Sequence, residues 1–152
     1  MTSYLIDTNV WIALTWAQHP HSGAAHRWLR KLGKSTTRLL FCRITQLGLL
    51  RLLTNSKVMG GSVVTVNEAW ALYDQLLEDP RVEFAPEPRG IEPAFRQTTA
   101  PYAMQPATKA VMDGYLAAFA GREDAVLVTF DKAVQSSAQL RQTPAVLLLQ
   151  SG

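Results

Sequence analysis

The sequence predicts an α/β fold, with helices covering both faces of a central, mostly parallel sheet. Apolar strand-like runs alternate with helical patterns along the 152 residues, and this alternation is typical of parallel sheets. The run Ala125–Thr129 is apolar up to its last residue, as expected of a strand that is buried on both faces. Two of the runs lead into a carboxylate, at the position where open α/β sheets bind their ligands.

Local signals place the elements in chain order. The predicted strands are 4–6, 39–42, 82–84, 125–129 and 146–149, and the predicted helices are 10–14, 24–29, 45–53, 68–77 and 107–120. Side chains able to cap a helix precede two of these helices: Ser22 for the second, and Thr65 or Asn67 for the fourth. Helix-ending residues follow three of them, namely Gly33, Pro80 and Gly121. Five prolines between residues 86 and 106 divide that stretch into short pieces.

Composition predicts one domain over residues 1–152, because the chain has the usual domain length and can bury one core. It is 47% hydrophobic and 18% charged, which argues against a disordered chain. No apolar run is long enough to span a bilayer, and the N-terminus lacks the basic leader of a secretory signal. The lone Cys42, in a core-like strand, cannot form an internal disulfide. We therefore expect a cytoplasmic protein without membrane contact.

Charge is distributed unevenly along the chain. Residues 8–67 contain eight Lys and Arg and no acid, whereas residues 68–152 contain seven bases and eleven acids. The formal net charge of +3 therefore combines +8, −4 and the −1 of Asp7. A long basic stretch without compensating acids favours a polyanionic partner, either nucleic acid or an acidic protein segment.

Three aspartates form the candidate site. Asp7 follows the first strand, and Asp131 comes two residues after the fourth strand. Asp113 is the only acid on the otherwise apolar helix 107–120, where burying its charge is costly without compensation. A divalent cation would provide that compensation, so we expect all three carboxylates to meet at the carboxyl edge of the sheet.

Four motifs together resemble those of the PIN-domain nucleases, and more closely those of the VapC toxins of bacterial toxin–antitoxin pairs. They are Ile6-Asp7-Thr8-Asn9-Val10, Arg51-Leu52-Leu53-Thr54-Asn55, Asp113-Gly114-Tyr115-Leu116-Ala117-Ala118 and Val128-Thr129-Phe130-Asp131. The resemblance implies a three-layer α/β/α sandwich and a Mg²⁺- or Mn²⁺-dependent endoribonuclease whose metal ligands and catalytic residues are Asp7, Asp113 and Asp131. It also implies an RNA substrate, structured or in single-stranded loops, with tRNA and rRNA as candidates. The implied protein partners are a VapB-like antitoxin, whose C-terminal segment crosses a groove and blocks the site, and a second copy of the toxin.

The third helix departs from the family pattern. Members usually carry a Glu near its start, and in this chain Gln46 takes that position with no acid nearby. An amide oxygen can hold a metal-bound water but brings no charge, so one metal or two both remain possible. Asp124, in the loop before the fourth strand, is a further candidate for the site. Thr8 and Asn9 either orient Asp7 by hydrogen bonds or simply start the first helix.

Other candidates concern binding. The expected phosphate contacts are Arg43, Arg51, Lys57 and Lys132, and the expected groove residues are Trp11, Leu14 and Trp16. Three histidines, His19, His21 and His26, are expected in a polar turn and on a helix face, where partial protonation would allow RNA contact.

The residues that follow Asp7 argue against two rival functions. An aspartyl-nucleophile phosphatase needs a second Asp two residues after the first, where this chain has Asn9. A dinucleotide-binding fold needs a glycine-rich turn after its first strand, and none follows Asp7. The more serious alternative is a catalytically weakened PIN domain that only binds RNA or protein, because Gln46 replaces the expected acid.

Overall fold

Five parallel strands form the sheet of the computed structural model, which describes residues 1–34, 36–141 and 145–150. The strands are β1 (Thr2–Ile6), β2 (Thr37–Phe41), β3 (Val82–Phe84), β4 (Ala125–Thr129) and β5 (Val146–Leu148). Their order in the sheet is β3-β2-β1-β4-β5, and every neighbouring pair is parallel. The predicted parallel sheet is confirmed.

Eight helices connect the described strands: α1 (Thr8–Thr15), α2 (Ser22–Lys31), α3 (Arg43–Leu53), α4 (Ser56–Met59), α5 (Val66–Leu77), α6 (Ile91–Thr99), α7 (Thr108–Arg122) and α8 (Lys132–Arg141). Short 3-10 turns follow α4 and α6. Thr65 caps α5 through a reciprocal pair of bonds with Glu68, as one of the two alternatives predicted. The prediction that Ser22 caps the second helix is wrong, because Ser22 is the first residue inside α2. His21 precedes the helix and makes no capping bond through its side chain.

Helix α6 corrects the prediction that prolines break residues 86–106 into short pieces. Pro93 is the third residue of α6, and in the first helical turn a proline removes no intrahelical bond, because those N–H groups have no partner inside the helix. Helix α8 is also not among the helices predicted from the sequence.

Two apolar clusters occupy opposite faces of the sheet, because successive strand residues point to opposite sides. Ile6, Leu39 and Phe41 face helices α1, α2, α3 and α5, whereas Leu5 and Leu40 face α6, α7 and α8. These helix layers complete the predicted three-layer sandwich. Cys42 is a buried core residue, and burial raises the pKa of its thiol.

The first helix contributes to the core more than to a groove. Trp11 is 1% exposed and stacks on Phe41 with ring centroids 3.8 Å apart. Leu14 is also buried. The expectation that Trp11 and Leu14 line a partner groove is therefore wrong, because both fill the space between α1 and the sheet.

The carboxyl ends of β1 and β4 lie side by side in the sheet. On one side of this pair the chain continues from β1 to β2 and β3, and on the other side it continues from β4 to β5. The strand order therefore reverses between β1 and β4. Ligands of open α/β sheets bind in the crevice at such a reversal of strand order. Within the described part of the chain, no helix combines the length and the apolar character needed to cross a bilayer.

Candidate active site

The three predicted aspartates line one pocket at this reversal of strand order. Asp7 follows β1, Asp131 follows β4, and Asp113 faces them from α7. The pocket has a volume of about 680 Å³. The expectation that these side chains converge at the carboxyl edge of the sheet is confirmed at the level of a shared pocket.

Asp7 is fixed between β1 and α1. It precedes the first residue of α1, and its Oδ1 accepts a hydrogen bond of 2.8 Å from the backbone N–H of Thr8. Its Oδ2 accepts a bond of 2.8 Å from the Thr129 hydroxyl. Burial is the largest influence and raises the pKa of Asp7, as does the nearby charge of Asp113, against the lowering effect of these hydrogen bonds. Ionising Asp7 is therefore costly unless a cation is close.

Thr129 connects the two strand ends, a role that the sequence did not reveal. Besides donating to Asp7, its Oγ1 accepts from the backbone N–H of Asp131 at 3.0 Å and from Nδ2 of Asn9 at 3.2 Å. Asn9 Oδ1 in turn accepts from the backbone N–H of Phe130 at 3.2 Å. Asn9 thus holds the end of β4 against α1, whereas Thr8 contacts Asp7 directly through its backbone.

Lys109 is the second residue that sequence reasoning missed. Its Nζ lies 3.0 Å from Oδ2 of Asp113 and forms a second ion pair with Asp131. Burial raises the pKa of Asp131, but the bonds from Lys109 and from backbone N–H groups outweigh it, so the pKa is lowered. The available signal was the spacing of Lys109 and Asp113, which lie four residues apart on a helix and therefore on one face.

The donor set has the chemistry of a hard divalent cation. Carboxylate oxygens are the ligands that Mg²⁺ prefers, and Asp113 and Asp131 already share one cationic group. In the present arrangement, however, no three His, Cys, Asp or Glu side chains among the described residues form a cluster able to hold an ion. The ammonium of Lys109 contacts two of the three carboxylates, those of Asp113 and Asp131.

Gln46 lies outside this pocket, which corrects its expected role. Its Oε1 accepts a bond of 2.5 Å from Arg43, and its side chain bonds Tyr73 in the core. The face of α3 that approaches the site carries Gly48 and Leu52 instead. Leu52 lines the pocket, and a Cβ on Gly48 would lie 2.6 Å from the Thr8 hydroxyl oxygen.

Asp124 is also excluded from the site. It immediately precedes β4 and has a left-handed backbone with φ of 52°. Because Asp131 follows the other end of that strand, the five residues of β4 separate the two by roughly 16 Å at about 3.3 Å per residue. Asp124 therefore lies at the opposite edge of the sheet from the carboxylate pocket.

The four basic candidates divide into two groups. Arg43 lies over the Phe84 ring at 4.5 Å and lines a different cavity with Glu87 and Tyr115, so its predicted phosphate contact at the aspartate pocket is not supported. Exposed side chains at the other three positions are each adjacent in sequence to a pocket-lining residue: Arg51, Lys57 and Lys132.

One wall of the pocket is aromatic. Trp16 and His19 line it beside the aspartates, with ring centroids 5.9 Å apart. His19 Nδ1 accepts the backbone N–H of His21 at 3.0 Å, and burial lowers the pKa of His19. The His21 ring stacks on Phe130, with centroids 4.5 Å apart. Of the predicted groove residues, Trp16 alone remains at the pocket surface.

An all-parallel α/β sandwich with an acidic pocket at its strand reversal defines a class of protein, and comparison with known proteins identifies the family. The model of the PIN domain matches residues 4–139. Ribonuclease VapC41 of Mycobacterium tuberculosis is 44% identical over 133 residues, which cover 85% of this chain and 89% of that protein. The chain therefore belongs to the PIN-domain family.

Solved structures agree on the fold. VapBC2 from Rickettsia felis, bound to a DNA fragment from its promoter, superposes with a TM-score of 0.66 at 16% identity over 98% of this chain and 100% of that one. VapC20 of Mycobacterium tuberculosis, described as a sarcin–ricin loop cleaving toxin, gives 0.63 at 16% identity over 88% and 94%. At this identity the likeness establishes the sandwich architecture.

Proposed function

We propose that this protein is a metal-dependent endoribonuclease and the toxin component of a VapBC-type toxin–antitoxin pair. The observation that carries the proposal is the convergence of Asp7, Asp113 and Asp131 in one pocket at the strand reversal. Membership of the PIN-domain family and 44% identity to a protein named a ribonuclease support the reaction class.

Asp7, Asp113 and Asp131 would hold Mg²⁺ or Mn²⁺. Such an ion, when bound, makes a water-derived nucleophile available at neutral pH and offsets charge on the phosphate. The chain's own residues provide the geometry. Thr129 and the Thr8 N–H fix both oxygens of Asp7, and Asn9 holds the end of β4 in register with β1.

The substrate proposed is RNA in a single-stranded or looped region. Recognition of such RNA depends on stacking of exposed bases and on phosphate contacts. Trp16 and His19 give the pocket an aromatic wall. Exposed cations beside the pocket would contact the flanking phosphates: Arg51, Lys57 and Lys132.

A VapB-like antitoxin is the proposed protein partner, with its C-terminal segment crossing the pocket mouth. Val58 and Met112 line the pocket and are 43% and 47% exposed, which offers that segment an apolar rim. The solved structure of VapBC2, whose fold this chain shares, supports such a partner because its name joins VapB and VapC. We further propose a homodimer, supported by exposed Leu47 on α3 and Trp70 on the adjacent α5, and a single cytoplasmic domain over residues 1–152.

Cleavage of a looped RNA by purified protein, with Mg²⁺ or Mn²⁺ and with chelator, tests the activity. Asp7→Asn keeps the shape of the side chain and removes its charge. Metal-dependent cleavage that is lost in Asp7→Asn would support the proposal. RNA binding without cleavage by the native protein would instead favour a weakened PIN domain that acts only as a binding module.

A further inference from the structure

Lys109 lines the acidic pocket together with its three aspartates. It lies in the first turn of α7, one turn before Asp113, and its ammonium group pairs with Asp113 and Asp131 together. Its charge also lowers the pKa of Asp7, although burial of Asp7 is the dominant influence in the opposite direction. One side chain therefore acts on all three carboxylates.

This ammonium compensates a charge arrangement that would otherwise be unfavourable. Asp113 and Asp131 come from different elements, and their side chains are 13% and 29% exposed. Like charges held close together in a partly buried pocket raise each other's cost of ionisation. A positive charge between the two carboxylates offsets that cost, and Lys109 provides it from within the chain.

Lys109 is nevertheless free to leave. Its side chain is 59% exposed, and a lysine ammonium is a point charge on a flexible four-carbon stem. Moving the ammonium into solvent breaks two ion pairs without opening the apolar core. The two carboxylates would then be available to a divalent cation at the place the ammonium had occupied.

We propose that Lys109 is a tethered counter-ion that competes with the divalent metal for Asp113 and Asp131. It stabilises the metal-free pocket and must be displaced when the metal binds, so it weakens the apparent affinity for metal. A site whose binding-competent state is only partly populated has its affinity reduced by that fraction. This inference rests on the proposed function, because it takes these aspartates as the metal ligands.

Calorimetric titration of Mn²⁺ into RNA-free protein tests the competition. Lys109→Met retains the length of the side chain and removes its charge, so Mn²⁺ should bind about tenfold more tightly, equivalent to about 1.4 kcal/mol. Lys132→Met is the matched control: it removes an exposed charge one residue from Asp131, and Lys132 forms none of the ion pairs recorded among the described residues. That control should change the affinity by no more than about twofold, as for an exposed charge in salt.

Thermal unfolding in chelator gives an independent measurement. Without metal, Lys109→Met should melt at a lower temperature than the native protein. Added Mn²⁺ should raise the melting temperature of the variant by more than it raises that of the native protein. Lys109→Gln should behave in the same way, which guards against a defect specific to one variant. A purely structural lysine would lower stability with and without metal alike.

The outcomes separate this inference from the proposed function. If Asp113→Asn abolishes Mn²⁺ binding but Lys109→Met binds no more tightly than Lys132→Met, the competition is overturned and the metal site stands. If the native protein, Lys109→Met and Lys109→Gln all fail to bind Mn²⁺, the proposed metal-dependent activity and the competition are both overturned. Tighter Mn²⁺ binding in Lys109→Met and Lys109→Gln, but not in Lys132→Met, supports the inference.

Discussion

The Thr129 hydroxyl donates a hydrogen bond of 2.8 Å to Oδ2 of Asp7, joining side chains that are 122 residues apart in sequence. Because the same oxygen accepts the backbone N–H of Asp131 at 3.0 Å, one hydroxyl sets the relative position of two proposed metal ligands. Thr129 itself is fully buried. The carboxylate pocket thus depends on the pairing of β1 with β4.

Thr129→Val should therefore impair metal binding and cleavage, although it hardly changes the shape of the side chain. The valine has nearly the same shape but leaves buried oxygen and nitrogen partners unsatisfied, at a cost of about 1–3 kcal/mol. Loss of a residue that orients a metal ligand typically lowers metal affinity or activity about 10- to 100-fold. Cleavage assays and Mn²⁺ titration measure this. Thr129→Ser, which keeps the hydroxyl, should restore most of both, and an equal loss in the two variants would contradict the hydrogen-bond argument.

Asp7→Asn should abolish cleavage, and its stability relative to the native metal-free protein should improve as the pH rises. Burial raises the pKa of Asp7, so the charged form destabilises the fold, and native stability declines as pH rises through that pKa. Raising a pKa by one unit corresponds to a loss of about 1.4 kcal/mol, which the uncharged variant avoids. Denaturant unfolding with chelator, repeated across pH, should show the variant gaining stability relative to the native protein as the pH rises above about 3.9, the ordinary pKa of Asp. A stability difference between the two proteins that does not change with pH would refute the burial argument.

Gly48→Ala should destabilise the protein although alanine normally favours a helix by about 1 kcal/mol. The new Cβ would lie 2.6 Å from Oγ1 and 2.9 Å from Cγ2 of Thr8. Relieving that overlap requires α1 to shift, at about 1–3 kcal/mol, and would move the Thr8 N–H that binds Asp7. Chemical unfolding is the measurement. Gly61→Ala is the control, because a Cβ there meets no atom within 4 Å, and equal stability of the two variants would exclude the close contact.

Salt dependence should reveal which cations contact RNA. Arg51→Ala and Lys57→Ala should each weaken RNA binding and reduce the slope of log affinity against log salt by roughly 0.7, the value for one phosphate contact on a single strand. Arg96→Ala is the control, because Arg96 pairs with Glu92 on α6 and is not among the residues that line the aspartate pocket. Binding that does not change with salt in the native protein would mean that the basic half has another role.

Local sequence patterns predicted the sheet and the three acids, because each depends on neighbours along the chain. An apolar run followed by Asp7, or by Phe130 and Asp131, specifies a strand and the acid at its carboxyl end without further information. The roles of Thr129 and Lys109 could not be predicted so directly. They arise only when β4 pairs with β1 and α7 packs above that edge. The four-residue spacing of Lys109 and Asp113 indicates that these two can pair, but it does not indicate the contact of Lys109 with Asp131.

The error at Gln46 has a different physical origin, namely the phase of α3. Helix α3 begins at Arg43, and residues 46 and 48 point in very different directions at 3.6 residues per turn. Which face meets the pocket depends on the helices that pack beside α3. Here α5 and Tyr73 lie against the face that carries Gln46.

Gln46→Glu should consequently leave Mn²⁺ affinity unchanged. The new carboxylate would lie beside Arg43, which already donates to Oε1 of Gln46, and outside the pocket that contains Asp7. Leu52→Glu provides the contrast, since Leu52 lines that pocket and affinity for hard cations rises with ligand charge. Calorimetric titration should therefore show tighter Mn²⁺ binding for Leu52→Glu, no gain for Leu52→Gln, and native affinity for Gln46→Glu. Tighter binding in Gln46→Glu would instead mean that this side chain reaches the metal, and that α3 turns toward the aspartates once the ion is bound.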